Sequence, residues 1–278
     1  MAIDPASPDT VYAGTVSGGG ILKTTDGGSN WHKIGITSVT GPVLVDPVTP
    51  STLYAPTSNA GLFKSTDGGG QWTASNNGLG GPYVSALAMA PSLPTTLYAA
   101  TTSAGVFRTT DGGASWSAVN NGLPATPPAQ FYCLAVDRIA ATTAYIAGGG
   151  GSAGVGIFKT TDGGGNWAPI TNGLTNMLVS ALVIDPTSPT TLYAGTDAGV
   201  FRSIDAGNSW VGLNGSLISP FTRSLAVDPS APSTLYAGTT SGVLKSTDSG
   251  GTWSTMNDGL SALNIRAIAM NPSSPSTL

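Results

Sequence analysis

Lys245-Ser-Thr-Asp-Ser-Gly-Gly-Thr-Trp253 decides the fold, because the stretch has five relatives in the same chain. They are Lys23–Trp31, Lys64–Trp72, Arg108–Trp116, Lys159–Trp167 and Arg202–Trp210. Their aspartates, Asp26, Asp67, Asp111, Asp162, Asp205 and Asp248, are spaced 41, 44, 51, 43 and 43 residues apart. All six tryptophans of the chain occupy the last position of the pattern. A self-similar period of roughly 20–50 residues implies a solenoid or a propeller.

Two further signatures recur between these stretches. One is an apolar run ending in Asp-Pro at Asp4, Asp46, Asp185 and Asp228, altered to Ala90-Pro91, Asp137-Arg138 and Asn271-Pro272. The other is a Leu-Tyr-Ala-Gly type run around Tyr12, Tyr54, Tyr98, Tyr145, Tyr193 and Tyr236. Several copies then reach an Asn-Gly-Leu turn, as at Asn77–Leu79, Asn121–Leu123 and Asn172–Leu174. One unit reads as four short strands, such as Ser224–Val227, Thr234–Gly238, Gly242–Ser246 and Thr252–Met256, each bounded by turn residues. Four strands in about 43 residues make one propeller blade. The fold class is therefore all-β: a β-propeller of four-stranded antiparallel blades, six complete with one extra strand, either six-bladed or an incomplete seven-bladed ring. The repeats fall at about 2–43, 44–86, 87–133, 134–181, 182–224 and 225–267, with a partial copy at 268–278, all in one domain spanning 1–278.

The pattern Ser/Thr-x-Asp-x-Gly-x-x-Trp suits a hairpin between the third and fourth strands. Its Asp and Ser/Thr side chains can accept backbone N–H groups in the turn. Its Trp can pack between blades, where burying roughly 200 Å² is worth about 5 kcal/mol gross. Six copies in register resemble the BNR or Asp-box propeller family, which includes bacterial sialidases, xyloglucanases, the sortilin ectodomain and photosystem II assembly factors. The resemblance covers essentially the whole chain. It implies the fold, whereas function must be argued from the site.

Composition narrows the chemistry. Of 278 residues, 9% are charged, against roughly 25% in ordinary domains. The net charge of −4 offers no basic footprint for nucleic acid. The uncharged run 139–158 holds six glycines in register with the repeat and reads as strand, loop, strand, so no membrane insertion is expected. Cys133 is the only cysteine and His32 the only histidine, so no multi-Cys or multi-His metal site and no cofactor is expected. Cys133 lies in an apolar run and reads as a small buried hydrophobe.

Every one of the fourteen acidic residues is Asp, and eleven of them belong to the boxes or the Asp-Pro slot. A repeated Asp is structural by default, so no catalytic residue is assigned. The cations before the boxes (Lys23, Lys64, Arg108, Lys159, Arg202, Lys245) read as solvated strand-edge charges. A sialidase-like site would require an arginine cluster and a glutamate. The chain has no Glu, and its arginines at 108, 138, 202, 223 and 266 are scattered. A xyloglucanase-like site would need a carboxyl pair in a cleft between two propellers. One set of blades supplies at most half of that arrangement. Gly148–Gly151 lacks the Lys-Ser/Thr of a phosphate loop.

The repeat is broken in two places, Pro124–Tyr132 and Gly148–Gly156. Chain direction alternates within a blade, so both insertions open on one face, opposite the box and Asp-Pro turns. Insertions in repeat proteins tend to mark a binding face. The ligand-binding candidates there are Phe131, Tyr132, Asp197, Phe221, Arg223 and Tyr83. The alternative is that Phe131 and Tyr132 plug a blade junction.

The expected function is a non-enzymatic module for a protein or glycan ligand, extracytoplasmic and bacterial. Alternatives are the propeller part of a glycoside hydrolase or a photosystem-type assembly factor. The chain starts and stops inside the repeat pattern. It reads either as a segment of a longer array, with further repeats or domains, or as a ring closed by its last strand.

Overall fold

The computed structural model describes residues 1–15, 19–37, 39, 41–124, 130–149, 154–217 and 221–271. Within them the chain forms six four-stranded antiparallel sheets arranged as a six-bladed β-propeller. Blade four shows the plan, with strands Phe131–Val136, Ala144–Gly148, Gly156–Thr160 and Ala168–Pro169 hydrogen-bonded in chain order. The first strands of successive blades pack side by side and form the inner ring. Those of blades three to six begin at Val84, Phe131, Val179 and Thr222, ahead of the boundaries at 87, 134, 182 and 225 drawn from the repeat.

Local chemistry explains each turn. Between the first and second strands, an Asp side chain caps the following residues. Asp46 Oδ1 accepts the N–H groups of Val48 and Thr49 at 2.8 and 3.0 Å, and Asp4, Asp137, Asp185 and Asp228 do the same. In the box, the Thr24 hydroxyl donates to Asp26 Oδ1 at 2.7 Å and accepts the Gly28 N–H at 3.0 Å. Asp26 Oδ1 then accepts the Asn30 N–H at 2.9 Å. The same bonds recur around Asp67, Asp111, Asp162, Asp205 and Asp248. The box is tied to the Asp-Pro turn of its own blade, as in Gly112 N–H to Thr95 carbonyl at 2.9 Å, so both turns share a face.

The core sits between blades. Five apolar clusters bridge blades one to two, two to three, three to four, four to five and five to six among the described residues. The box tryptophans anchor them. Trp116, Trp167, Trp210 and Trp253 retain at most 8% exposure, and each indole N–H donates to the preceding blade, at Ser75, Val119, Ile170 and Leu213. Trp72 instead donates to Gly69 of its own box. Trp31 is 39% exposed.

The box cations are not solvated edge charges. Lys64 Nζ lies 5.3 Å from the centre of the Tyr54 ring and donates to the Gly112 carbonyl of the next box at 2.8 Å. Lys23, Lys159 and Arg202 reach Gly68, Ala206 and Ser249 in the same way. These strands lie where one blade overlaps the next, and the flexible stem carries the charge to a backbone carbonyl of the next box.

Residues 265–271 form no ladder of their own. The Ile265 N–H donates to the Thr239 carbonyl of blade six at 2.9 Å. Ile265 packs over Gly238 as Thr222 packs over Gly195. Blade one keeps its own first strand, Ala2–Ile3, paired with Val11–Thr15, so residues 265–271 do not replace it.

Candidate functional site

The face opposite the boxes carries a feature produced by strand pairing. In blade four, Phe131 pairs with Gly148 and Cys133 with Ala147, which leaves Tyr132 as an extra residue. In blade five the extra residue is Ser180, between Val179 and Ala181. In blade six it is Arg223, between Thr222 and Ser224. Each is a β-bulge at the rim end of an inner strand, and blade three has the same bulge at Ser85, between Val84 and Ala86. A bulge re-aims its side chain out of the pleat.

These three residues line one groove of about 260 Å³, together with Gly149, Leu178, Val179, Asp197 and Phe221. The groove therefore crosses blades four, five and six. Tyr132 and Phe221 are 47% and 46% exposed, unusual for large aromatic side chains in a tightly packed ring. Arg223 is exposed and Asp197 half-buried. Asp197 is held by its backbone, whose N–H donates to the Leu178 carbonyl at 3.3 Å. The Tyr132 hydroxyl donates to the Gln130 side-chain oxygen. The arrangement combines two apolar ring faces with one cation and one carboxylate.

Of the six candidates read from the sequence, Tyr132, Asp197, Phe221 and Arg223 come together here. Phe131 does not. It is 2% exposed and packs edge-on against Phe158, with ring centres 6.4 Å apart, so it belongs to the core between blades three and four. Alternation along the strand turns Phe131 inward, and the bulge turns Tyr132 out. Tyr83 is exposed on blade three, away from this groove, and its carbonyl accepts the Thr102 N–H. Leu178 and Ser180 were missed, because a Ser within an apolar first strand also occurs at Ser85 and carries no distinguishing signal. Residues 125–129 and 150–153 of the two insertions lie outside the described residues.

Other chemistry is sparse. No three His, Cys, Asp or Glu side chains come together among the described residues. No helix is long and apolar enough to cross a membrane among them. Cys133 lies inside blade four, and burial pushes its thiol up to about 12. The box carboxylates are held well below the ordinary range by their own turns. Asp26 falls to about 2, chiefly through the Thr24 hydroxyl, and Asp248 to about 2, chiefly through the Thr252 N–H. They are permanently ionised acceptors at neutral pH, whereas a general acid or base works best with a pKa near the working pH.

Fold and turns together define a six-bladed β-propeller whose outer hairpins repeat one aspartate-centred turn. No family model matches the chain. Over 47 residues, 17% of this chain and 6% of the relative, it is 40% identical to a xyloglucanase of Hypocrea jecorina (strain QM6a). Among solved structures it is similar to the GH74 enzyme of Niastella koreensis, with a TM-score of 0.73 and 21% identity over 90% of this chain and 45% of that one. It is similar to YCF48 bound to D1 peptide, with a TM-score of 0.60 and 16% identity over 82% of this chain and 70% of that one. The extracellular domain of the hybrid two-component system BT3049 from B. thetaiotaomicron gives a TM-score of 0.70 and 15% identity, over 97% of this chain and 36% of that one. The chain thus spans less than half the length of the GH74 enzyme and of the BT3049 domain. Identities this low establish the shared propeller fold.

Proposed function

We propose that this chain is a binding module that takes a protein or glycan ligand in the groove across blades four to six. One observation carries the reading: of four consecutive bulged inner strands, in blades three to six, the last three deliver Tyr132, Ser180 and Arg223 to the same opening. A bulge interrupts pairing, and its repetition beside exposed aromatics suits recognition. Aromatic faces with a few fixed polar groups match a sugar ring or a peptide side chain. An extracytoplasmic setting fits the low charge and the extracellular domain of BT3049 that shares the fold. Tyr132→Ala and Arg223→Ala should each weaken binding on glycan or peptide arrays while leaving the melting temperature in place. Unchanged array profiles in both variants would sink the reading.

The local identity to a xyloglucanase and the likeness to a GH74 enzyme favour a second reading, in which the chain is the propeller part of a glycoside hydrolase. Glycoside hydrolysis generally needs two carboxyls about 5–10 Å apart. The groove holds one, Asp197. Turnover of β-glucans by this chain alone would establish the second reading in place of the first.

A further inference from the structure

The face that carries the boxes has an apolar centre. In blades two, three and four, the turns between the first and second strands present Val48, Leu93 and Ile139, which are 72%, 49% and 77% exposed. Neighbouring turns are tied together. The Ser92 hydroxyl donates to the Ile139 carbonyl at 3.2 Å, and Arg138 Nη1 donates to the Pro186 carbonyl at 2.9 Å. Beneath the turns opens a well of about 450 Å³, walled by apolar side chains of four inner strands, among them Leu44, Leu87, Met89, Leu134 and Ile184. Pro47, Pro91 and Arg138 of the same turns also line it, so turns and well form one surface. Single exposed apolar residues are ordinary, whereas a continuous apolar patch marks an interaction site.

Stability does not account for these side chains. In blade five the Thr187 hydroxyl donates to Asp185 Oδ1 at 2.8 Å, and in blade six the Ser230 hydroxyl donates to Asp228 Oδ1 at 2.7 Å. Val48 and Ile139 stand in the same place, two residues after Asp46 and Asp137, with their N–H groups capped in the same way. A hydroxyl there would add a bond to the cap. Both positions instead keep a β-branched hydrocarbon in water.

Charge decides the occupant. The three turns have the exposed box carboxylates Asp67, Asp111 and Asp162 beside them, because the glycine after each Asp donates to the turn of its own blade. Gly68 reaches Ser51 at 2.8 Å, and Gly112 and Gly163 reach Thr95 and Thr142, both at 2.9 Å. Hydrogen bonds within the boxes keep these carboxyls ionised. The boxes, the Asp-Pro slot and Asp9 bring twelve of the fourteen carboxylates to this face, against the six box cations and Arg138. The box cations are half-buried in the blade joints. An apolar centre with an acidic margin repels anionic lipid headgroups, nucleic acid and a second copy of itself. The N–H groups of Val48, Thr49, Leu93, Ile139 and Ala140 are bonded within their own turns, so a partner must bind through side chains. We propose that this face docks a basic amphipathic helix of a protein partner. Its apolar stripe lies on Val48, Leu93, Ile139 and the well, and its Lys or Arg residues meet the box carboxylates. The site is on the opposite side of the ring from the groove at Tyr132 and does not depend on it.

The test uses the full chain and a fluorescein-labelled peptide of leucine and lysine, about 20 residues long so that it is helical, with leucine along one face. Two control peptides carry Glu in place of Lys, or Ser in place of Leu. The triple variant Val48→Ser/Leu93→Ser/Ile139→Ser removes the apolar turns, and its serines at 48 and 139 can make the bond that Ser230 makes. Fluorescence anisotropy at about 150 mM salt should show the Leu/Lys peptide bound about tenfold more tightly by the parent than by the triple variant, at an unchanged melting temperature. Both control peptides should bind the parent more weakly. Ile139→Ser alone should lose part of the affinity, which keeps the test decisive if the triple variant does not fold. Tyr132→Ala should bind like the parent, since the groove is a separate site. Equal affinity of the parent and the folded serine variants, or no preference for Lys over Glu, would overturn the proposal. So would flotation of the parent with phosphatidylcholine vesicles, or a dimer in sedimentation, that the serines abolish, because a membrane or a second copy would then be the occupant.

Discussion

The indole N–H of Trp167 donates to the backbone carbonyl of Val119 in the preceding blade at 2.8 Å. The ring is 1% exposed and meets Tyr98 edge-on, with centres 6.4 Å apart. One side chain thus joins two sheets by area, ring geometry and a directed bond. Trp167→Ala should cost about 3–5 kcal/mol, whereas Trp31→Ala should cost little, because Trp31 inserts into nothing. Urea midpoints of the two variants check the contrast, and equal losses would contradict it.

Gly122 makes the same joint possible from the other side. Its φ is +84°, and a Cβ there would lie 2.1 Å from the Trp167 carbonyl oxygen, a backbone atom that cannot step aside cheaply. Gly122→Ala should destabilise by more than the roughly 1 kcal/mol typical of the left-handed region alone. Gly259→Ala has a similar φ of +82° and open space, so it reports the backbone cost by itself. The difference in thermal unfolding between the two variants isolates the clash.

In two boxes the residue after the Asp is not glycine. Ala206 and Ser249 sit at φ 57° and 59°, where the other boxes have glycine. Ala206→Gly and Ser249→Gly should each stabilise by about 0.5–1 kcal/mol, the left-handed strain being partly offset by glycine's entropy. Their backbone N–H bonds to Thr190 and Ser233, both 2.8 Å, remain available to glycine. No gain in either variant would mean that the boxes are relaxed as they stand.

Acid should loosen the boxes together. The carboxyls of Asp26, Asp205 and Asp248 lie at about 2 in the folded chain, below the roughly 3.9 of an unfolded Asp. A depressed folded pKa gives a contribution fully present above about pH 4 and lost as pH falls towards 2. Urea midpoints measured from pH 5 to pH 2 should therefore fall steeply. Asp248→Asn should lower the midpoint at neutral pH and differ less from the parent at pH 2.

Alkali acts through the buried tyrosines. Burial pushes Tyr54 and Tyr145 up to about 12, and the Tyr54 hydroxyl donates to the Gly112 carbonyl at 2.9 Å. An unfolded tyrosine ionises near 10. Stability is thus fully present below about pH 10 and declines as pH rises towards 12. Absorbance at 295 nm should show these phenols ionising with unfolding, and their prior titration in the folded chain would contradict the burial argument.

The sequence showed the boxes clearly because their bonds are local. Thr24, Asp26, Gly28 and Asn30 satisfy one another within seven residues, so the pattern and the geometry coincide. The box cations were misread because their acceptors lie 45 to 48 residues away, in the next blade. Four groove residues were visible as departures from the repeat. Their neighbour Ser180 was not, since a bulge leaves composition unchanged and shows only in how one strand registers against its partner. Phe131 and Tyr132 stand side by side, and pairing with Gly148 decides which ring faces solvent.

Lys159 reaches forward to one neighbour while Trp167 of the same repeat reaches back to the other. Blades four and five therefore speak the same two-way grammar to the units beside them. At the level of the gene, unequal crossing-over between those two copies would delete or duplicate a whole unit and leave the junctions on either side legible. The lineage of such a chain can change length in single-blade steps, and the rim bulges can diverge freely, because no junction depends on them.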